Sequence, residues 1–140
     1  MNLKIKKLRP EARIDSPAYS GDAGYDVYSL EDVLLEPGDH YDFNLGLSLE
    51  FDEKYVCLAL MKSGLASKFG IDSVGTVIDS SYRGEIHAQI VNSSNRPVHI
   101  KPGMKIIQLL FVPVFHPKIE FVDSLEDTDR GENKFGSSGE

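Results

Sequence analysis

Several features that would fix the class of a protein are scarce or missing from this sequence. Its 140 residues include one cysteine, Cys57, and no tryptophan. A single cysteine cannot form an internal disulfide, which favours a reducing compartment. No apolar run approaches the roughly 20 residues that span a bilayer, and the basic start lacks the apolar block of a secretory signal. The sequence therefore predicts a cytoplasmic protein that has no membrane partner, without excluding the nucleus or an organelle.

Positive charge is also in short supply. The chain has 15 Lys and Arg against 22 Asp and Glu, for a net charge of −7. Broad binding to a nucleic-acid backbone needs a clustered basic surface, so we expect no nucleic-acid partner. A small anionic ligand needs only a few local donors, and a divalent cation among carboxylates could accompany it.

The sequence contains residue types that bind zinc, but their spacing does not match a zinc site. Cys57 and the four histidines fall at no metal-ligand spacing, so a zinc site is not expected. These residues are better explained as strand-face or loop positions. They are Cys57, His40, His87, His99 and His116.

Alternating apolar and polar residues dominate what is present. The segment YDFNLGLSLEF, residues 41–51, has an apolar side chain at every odd position, which is typical of a strand with one buried face. Three further segments rich in β-branched and aromatic residues also predict strands: 55–61, 85–92 and 106–115. Turn signals separate them. Many short strands predict an all-β jelly roll or β-sandwich of one domain.

One segment predicts a helix, and one marks a change in composition. Residues 63–70, SGLASKFG, could form about two helical turns, with Ser63 as the N-cap and Gly70 at the end. Strand-like sequence gives way to DSLEDTDRGENKFGSSGE at about residue 123. We therefore expect a jelly-roll domain over residues 1–122 and a flexible C-terminal arm over residues 123–140.

The most informative segment is GTVIDSSYRGEI, residues 75–86. It predicts a β-hairpin with Asp79 at one end of the loop and Tyr82 at the other. A carboxylate and an aromatic ring would then face one small ligand, while backbone groups stay free to bind a planar base. The segment alone is equally compatible with an ordinary hairpin that has an Asp turn cap and a rim tyrosine.

Three other segments place polar groups next to apolar ones. GDAGYDVYS puts Asp22 and Asp26 on a loop entering a strand, and LMKSGLASKFG puts Lys62 and Ser63 at the start of the predicted helix. A lysine, a hydroxyl and free N–H groups at one point can bind phosphate, although a plain helix cap is as good an explanation. Gln108 lies within an apolar strand, where it could pair structurally or contact a ligand.

The tail DRGENKFGSSGE, residues 129–140, is too polar to join a core yet has one large aromatic, Phe135. Glycine-bracketed backbone with adjacent hydroxyls is suited to phosphate oxygens. Judged by itself, the tail could also be a frayed terminus with a stray phenylalanine.

Taken together and in this order, these segments resemble the motifs of the trimeric deoxyuridine triphosphatases, or dUTP pyrophosphatases. The family patterns are roughly AGxD, RSGLA, a GVIDxxYRGE-like hairpin, GxxxxQL and RGxGGFGSTG. The matching segments are AGYD at 23–26, KSGLA at 62–66, VIDSSYRGE at 77–85, GMKIIQL at 103–109 and RGENKFGSSG at 130–139.

The resemblance implies a fold, an activity and an assembly. It implies a dUTPase-like jelly roll, or β-clip, that forms a homotrimer with shared active sites at subunit junctions. The implied reaction is Mg²⁺-assisted hydrolysis of dUTP to dUMP and pyrophosphate. That reaction keeps uracil out of DNA and supplies dUMP for thymidylate synthesis.

The resemblance also assigns roles to residues. Asp79 would activate the water that attacks the α-phosphorus, Tyr82 would pack under the deoxyribose, and Asp26 would contact the metal through water. The hairpin backbone at Gly75, Thr76 and Val77 would bind the uracil edge. The residues that would hold phosphate oxygens are Lys62, Ser63, Gly64 and Gln108. The tail would close over a neighbour's site with Arg130, Phe135, Gly136, Ser137 and Ser138.

Some positions depart from the family pattern. Lys62 replaces a common arginine and so offers a point charge instead of a bidentate fork. Thr76 stands where glycine is frequent, Ser81 and Met104 replace frequent acids, and 133–134 replace two glycines with Asn-Lys. The water-activating Asp, the sugar-packing Tyr and the tail Phe are all present.

Two rival functions use the same fold. A dCTP deaminase, or a bifunctional deaminase, would call for Arg-Ser-Ser in the second motif and a glutamate in the hairpin, where this chain has KSG and Asp79. A non-catalytic nucleotide-binding or regulatory jelly roll would not need to keep Asp79 and Phe135.

Overall fold

Twelve strands and one short helix make up the regular structure of residues 2–132, the part of the chain that the computed structural model describes. This confirms the predicted all-β fold with one short helix. The strands are β1 (Lys4–Lys7), β2 (Ile14–Asp15), β3 (Tyr25–Tyr28), β4 (Val33–Leu35), β5 (His40–Asn44), β6 (Leu47–Glu50), β7 (Tyr55–Met61), β8 (Ile71–Val74), β9 (Val77–Ile78), β10 (His87–Asn92), β11 (Val98–Ile100) and β12 (Lys105–Pro113), and the helix is α1 (Ser63–Phe69).

The strands form antiparallel sheets that enclose one apolar core. A five-stranded sheet has the order β2-β3-β12-β7-β9, and a three-stranded sheet has the order β5-β10-β8. Two-stranded sheets pair β1 with β6 and β11 with β4. The largest fully buried side chains of this core include Phe43, Leu45, Leu47, Ile90, Ile106, Ile107 and Leu109. Burial of such side chains is the main favourable term that holds the sheets together.

The segment 41–51 is not one strand, as its alternation predicts, but two. β5 ends at Asn44 and pairs with β10, whereas β6 begins at Leu47 and pairs with β1. Gly46 lies between them with φ 68°, a left-handed conformation that other residues rarely adopt. The odd-numbered apolar residues from Phe43 to Phe51 are nevertheless buried. Alternation predicted the buried face correctly, but it could not show that the chain changes sheets at the glycine.

The hairpin predicted for residues 75–86 has a different pairing. β9 pairs with β7 in the five-stranded sheet, and β10 pairs with β5 and β8 in the three-stranded sheet. The true hairpin therefore joins β8 to β10, and residues 75–86 form a long connection between its strands. The prediction that β9 and β10 pair is wrong, because β9 extends a different sheet. The connection crosses from one sheet to the other.

The helix lies where the sequence predicts it, from Ser63 to Phe69, and ends at Gly70. Its N-cap is Lys62 rather than Ser63, and no side chain bonds to the first turn there. The predicted capping role of Ser63 is therefore wrong, since Ser63 is already a helical residue. Its hydroxyl is exposed and makes no hydrogen bond within residues 2–132.

Beyond the last strand, residues 114–132 contain no helix or strand. A backbone hydrogen bond of 2.9 Å from Val114 to Lys54 marks where this segment leaves the sheet. The division into a domain at 1–122 and an arm at 123–140 stays a prediction. Among the helices of residues 2–132, none has the length and apolar character needed to cross a membrane.

Candidate active site

A cleft of about 200 Å³ lies in the connection between β8 and β10. The side chains and backbone that line it come from both ends of that connection. They are Gly75, Val77, Ile78, Asp79, Tyr82, Glu85, Ile86, His87 and Gln89. The cleft therefore contains Asp79 and Tyr82 together, as the sequence predicts, along with Gly75 and Val77.

A tight turn sets the spacing of Asp79 and Tyr82. The backbone N–H of Tyr82 donates to the carbonyl of Asp79 at 3.1 Å, which places the two side chains at opposite ends of the turn. The Tyr82 hydroxyl donates to the Glu85 carbonyl at 2.9 Å, and Arg83 Nη1 donates to the Ser80 carbonyl at 2.6 Å. These bonds hold the ring and the turn in place. The Asp79 carboxylate remains exposed at the edge of the cleft.

Thr76 has a backbone role at this cleft. Its carbonyl accepts a 2.8 Å hydrogen bond from the N–H of Ala59 in β7. That bond ties the start of the connection to the five-stranded sheet. The Thr76 carbonyl is thus already engaged, and Thr76 itself does not line the cleft.

A second group of predicted residues is gathered on the five-stranded sheet. Asp26 in β3 lies opposite Gln108 in β12, and β12 also pairs with β7, which ends just before Lys62. Lys62 Nζ donates to Oδ1 of Asp26, and Lys105 Nζ donates to Oδ2 of the same carboxylate at 2.9 Å. One carboxylate is therefore shared by two ammonium groups, and the cluster has an excess of positive charge.

Burial and the two lysines have opposite effects on Asp26. Its side chain is 17% exposed, and this burial raises the pKa of Asp26, because it disfavours the charged form. Hydrogen bonds from Lys62 and Lys105 outweigh that effect and hold the pKa of Asp26 below its ordinary value. The bond to Asp26 in turn raises the pKa of Lys105. The cluster thus keeps both Asp26 and Lys105 charged.

Gln108 lies beside this cluster and packs against Gly24. Its Nε2 donates to the Met61 carbonyl at 3.4 Å, so its amide is paired in the structure and half-buried. Next to it, a cleft of about 450 Å³ combines basic and apolar side chains. The residues that line this basic cleft are Lys62, Gly64, Leu65, Lys68, Phe69, Met104 and Lys105.

The two clefts share no residue. The first contains the predicted catalytic Asp79 and sugar-packing Tyr82, and the basic cleft contains the predicted phosphate ligands Lys62 and Gly64. Arg130 is exposed in the segment after β12. Four predicted contacts lie outside the described residues 2–132, namely Phe135, Gly136, Ser137 and Ser138.

The clefts also contain Lys105, His87 and Gln89, to which the sequence motifs assign no role. Lys105 follows a turn and seemed a surface lysine, because nothing in the sequence shows that β12 places it against Asp26. His87 and Gln89 alternate with buried residues on β10 and thus read as the solvent-facing side of a strand. The pairing of β10 with β8 instead brings them under the connection that carries Asp79.

Other reaction types find little support in the described residues. No cluster of three or more His, Cys, Asp or Glu side chains within residues 2–132 could hold a metal ion. Burial raises the pKa of the Cys57 thiol to about 12, so it is not a thiolate nucleophile at neutral pH. A metal ion at this site would need oxygen ligands from a bound molecule such as a triphosphate.

Comparison with known proteins gives one consistent family. The dUTPase family model matches residues 10–139. The deoxyuridine 5′-triphosphate nucleotidohydrolase of Nautilia profundicola is 42% identical and that of Clostridium tetani 37% identical; the alignments cover 99% and 98% of this chain and 99% and 96% of theirs.

Solved structures agree with the sequence relatives. The dUTPase of Staphylococcus bacteriophage 80alpha with dUPNHPP is 30% identical, with a TM-score of 0.89, and the match covers 99% of this chain and 98% of that one. A D-to-N mutant dUTPase from phage phi11 of S. aureus, described with a structural Mg(II) ion, is 25% identical, with a TM-score of 0.83 over 91% of this chain and all of its own. On the family model, the relatives and the shared fold, this chain belongs to the dUTPase family.

Proposed function

We propose that this chain hydrolyses dUTP to dUMP and pyrophosphate. Membership of the dUTPase family and relatives named deoxyuridine 5′-triphosphate nucleotidohydrolases support this activity. The structural observation that carries it is the tight turn that sets Asp79 and Tyr82 at two ends of a small cleft. A carboxylate and an aromatic ring so placed can act on the two parts of a nucleotide that meet at its 5′-carbon.

Asp79 is the general base in this proposal. Its carboxylate is exposed at the edge of the cleft, where a water molecule can reach it. The carboxylate accepts a proton from that water as the water oxygen bonds to the α-phosphorus. The bond between the α-phosphorus and the bridging oxygen breaks, and pyrophosphate leaves with the electron pair.

Tyr82 determines how the sugar is placed. Its ring lies over Gly84, where an added β-carbon would be 2.2 Å from the Tyr82 hydroxyl oxygen. Its hydroxyl is fixed by the Glu85 carbonyl, so the ring presents a rigid face to the cleft. Packed against the deoxyribose, such a face leaves no room for a 2′-hydroxyl. Backbone at Gly75 and Val77 borders the base, and Thr76 between them anchors this backbone through the bond of its carbonyl to β7.

The phosphate chain binds at the lysine cluster. Lys62, the Ser63 hydroxyl, the Gly64 backbone and the Gln108 amide hold its oxygens, and Lys105 remains on Asp26. Two ammonium groups on one carboxylate leave an excess of one positive charge, which favours a polyanion. Lys62 can therefore turn to a phosphate oxygen while Asp26 keeps a cationic partner.

Mg²⁺ fits this site as an ion that the triphosphate brings with it. The described residues offer no metal cluster of their own, and both oxygens of Asp26 are bonded to lysines. Asp26 thus suits a contact through metal-bound water better than direct coordination. When bound, Mg²⁺ offsets the charge that develops on the phosphate oxygens.

The active enzyme is a homotrimer with shared active sites. In one chain, the cleft with Asp79 and the basic cleft with Lys62 share no residue, which supports a site assembled from more than one copy. Large apolar side chains after β12 are exposed, and such surfaces mark contacts with other chains. They are Phe115, Ile119, Phe121 and Leu125, which are 78–96% exposed.

The C-terminal residues complete the site in a neighbouring subunit. In this proposal Phe135 stacks on uracil, Arg130 contacts the γ-phosphate, and Gly136, Ser137 and Ser138 supply further donors. Closure of such an arm excludes water other than the attacking molecule. The presence of Arg130 and the FGSS sequence in the last motif supports this assignment.

The decisive experiment measures pyrophosphate release with Mg²⁺ from dUTP beside dCTP, dTTP and UTP. We expect release from dUTP at a kcat/KM at least about a hundredfold above the other three. Ammonia release from dCTP would establish the deaminase alternative instead. Binding of dUTP without any product would establish a non-catalytic nucleotide-binding protein.

A further inference from the structure

Gln89 is a polar residue of the first cleft with no role in the reaction described so far. It lies on β10, the middle strand of the three-stranded sheet, opposite Val74 of β8 and Asp42 of β5. Its side chain is half-buried and lines the cleft together with Asp79 and Tyr82. Within residues 2–132 its carboxamide has no hydrogen-bond partner.

Close contact with Gly75 fixes the direction of this amide. A β-carbon on Gly75 would be 2.5 Å from Oε1 of Gln89 and 3.3 Å from Cδ, so the carboxamide occupies space that the glycine leaves open. Oε1 is thus turned towards the Gly75 α-carbon. The Nε2 group lies on the other branch of the amide and remains available as a donor.

His87 is the other unassigned side chain of the cleft, but it is already paired. Its Nδ1 lies 3.2 Å from Oδ2 of Asp42 on the neighbouring strand, and both side chains are open to solvent. Gln89 differs because it is less exposed and has no partner. A half-buried amide without a partner is the group expected to gain most from a polar ligand atom.

The arrangement of Tyr82 and Gln89 indicates which ligand atom that is. Tyr82 lies at the exposed turn, 45% exposed, whereas Gln89 lies further in, on the sheet. In a pyrimidine nucleoside the sugar is attached at N1, and the 4-position lies across the ring from it. A base whose sugar rests on Tyr82 therefore directs its 4-substituent towards Gln89.

We propose that Gln89 determines base specificity by donating a hydrogen bond from Nε2 to the 4-oxo group of uracil. Cytosine has an amino group at this position, which is a donor. Two facing donors leave both unpaired in a half-buried cleft, and this penalty rejects cytosine. The inference rests on the proposed function, because it takes the base of dUTP to occupy this cleft.

The test compares Gln89→Met with Gln108→Met. Methionine keeps the length of the side chain and removes its donor, and Gln108 is a matched glutamine on the phosphate side. We expect Gln89→Met to lower kcat/KM for dUTP about tenfold and to raise that for dCTP, because the donor that faces the cytosine amino group is gone. Gln108→Met should lower both in proportion. Calorimetry should show that Gln89→Met weakens the binding of dUMP but not that of dCMP, two ligands that lack the β- and γ-phosphates.

An equal change for both bases in Gln89→Met, or no change, would overturn the proposal. Gln89→Asn, which keeps the amide but shortens its reach, is the second variant if methionine impairs folding, and the same split is expected. Wild-type protein that binds dUMP over dCMP but releases no pyrophosphate would refute the hydrolase; loss of that preference in Gln89→Met would still support the Gln89 role, and an unchanged preference would refute it. Wild-type protein that hydrolyses dUTP, with Gln89→Met unchanged in selectivity, would refute the Gln89 role alone.

Discussion

Gly24 and Gln108 are in contact across two neighbouring strands. A β-carbon on Gly24 would lie 2.2 Å from Oε1 of Gln108 and 3.0 Å from its Cβ and Cδ. The glycine therefore leaves the space in which the amide lies across the sheet and bonds to the Met61 carbonyl. Gly24 and Asp26 belong to the same short segment. That segment therefore carries the charged Asp26 and also shapes the position of Gln108.

Replacing Gly24 by alanine should displace the Gln108 side chain. Its amide end can move, but its β-carbon, 3.0 Å from the added methyl, is held by β12, so we expect a stability loss of about 1–3 kcal/mol. The kcat/KM for dUTP should fall about tenfold, because a hydrogen bond to phosphate is lost. Steady-state kinetics and urea unfolding measure the two effects. Gly21→Ala is the matched control, since no atom lies within 4 Å of that site, and equal kinetics for both variants would contradict the prediction.

Asparagine at position 79 should separate binding from turnover. Asp79→Asn keeps the shape of the side chain but removes the proposed general base, so we expect kcat to fall by about 10²–10⁴-fold. The Kd for a non-hydrolysable dUTP analogue should change less than threefold. Pyrophosphate release and calorimetry give these values, with the exposed loop residue Asp52→Asn as the control. Substantial turnover by Asp79→Asn would show that another group activates the water.

Sequence alone was sufficient for those parts of the fold that depend on local pattern. β7 occupies Tyr55–Met61, the predicted segment, because alternation and β-branched residues act within one strand. The break at Gly46 and the assignment of β9 to a different sheet depend on partners far away in the chain. A pattern of period two indicates which face is buried, but it does not indicate which strand pairs with which.

The candidate site, like the fold, could be predicted only in part from the sequence. The order of the sequence motifs identified Asp79, Tyr82 and Lys62 as candidate site residues. Lys105 and Gln89 could not be identified, because a lysine after a turn and a glutamine on an alternating strand both look like surface residues. Each gains its role from a contact with a distant segment: Lys105 with Asp26, and Gln89 with Gly75.

Lys105 should influence stability in a pH-dependent way. The pKa of Asp26 is lower in the folded chain than its ordinary value of about 3.9, so folding favours its ionised form. That contribution is complete above about pH 4 and is lost as the pH falls through the folded pKa. Lys105→Met removes one partner, so the wild type should be more stable than the variant at pH 7.

The difference in urea unfolding midpoint between wild type and Lys105→Met should then become smaller as the pH falls from 7 to 3. Lys101→Met, an exposed lysine close in sequence, is the control and should show no such trend. A gap that stays constant with pH would mean that Lys105 acts through packing on Tyr28, whose ring lies 5.7 Å from its ammonium.

The exposed apolar residues after β12 provide a test of assembly. If the proposed trimer forms through this surface, replacing Phe115 and Phe121, which are 92% and 96% exposed, by serine should convert it to monomers. Serine cannot supply the apolar area that a stable contact between subunits buries. The more polar surface should also make the isolated chain better solvated. Light scattering coupled to size exclusion measures the mass. Tyr19→Ser, at a 77% exposed aromatic elsewhere, should remain trimeric, and a trimeric double variant would rule out this surface.

Removal of residues 130–140 should separate catalysis from folding. The described part of this segment, residues 130–132, is exposed, so thermal unfolding and oligomeric mass should match those of the full chain. If Arg130 and Phe135 orient the substrate, kcat/KM for dUTP should fall at least about a hundredfold, as expected when positioning groups are lost. Phe135→Ala in the full chain should account for part of this loss. Equal rates for the truncated and full chains would mean that the site is complete without its last motif.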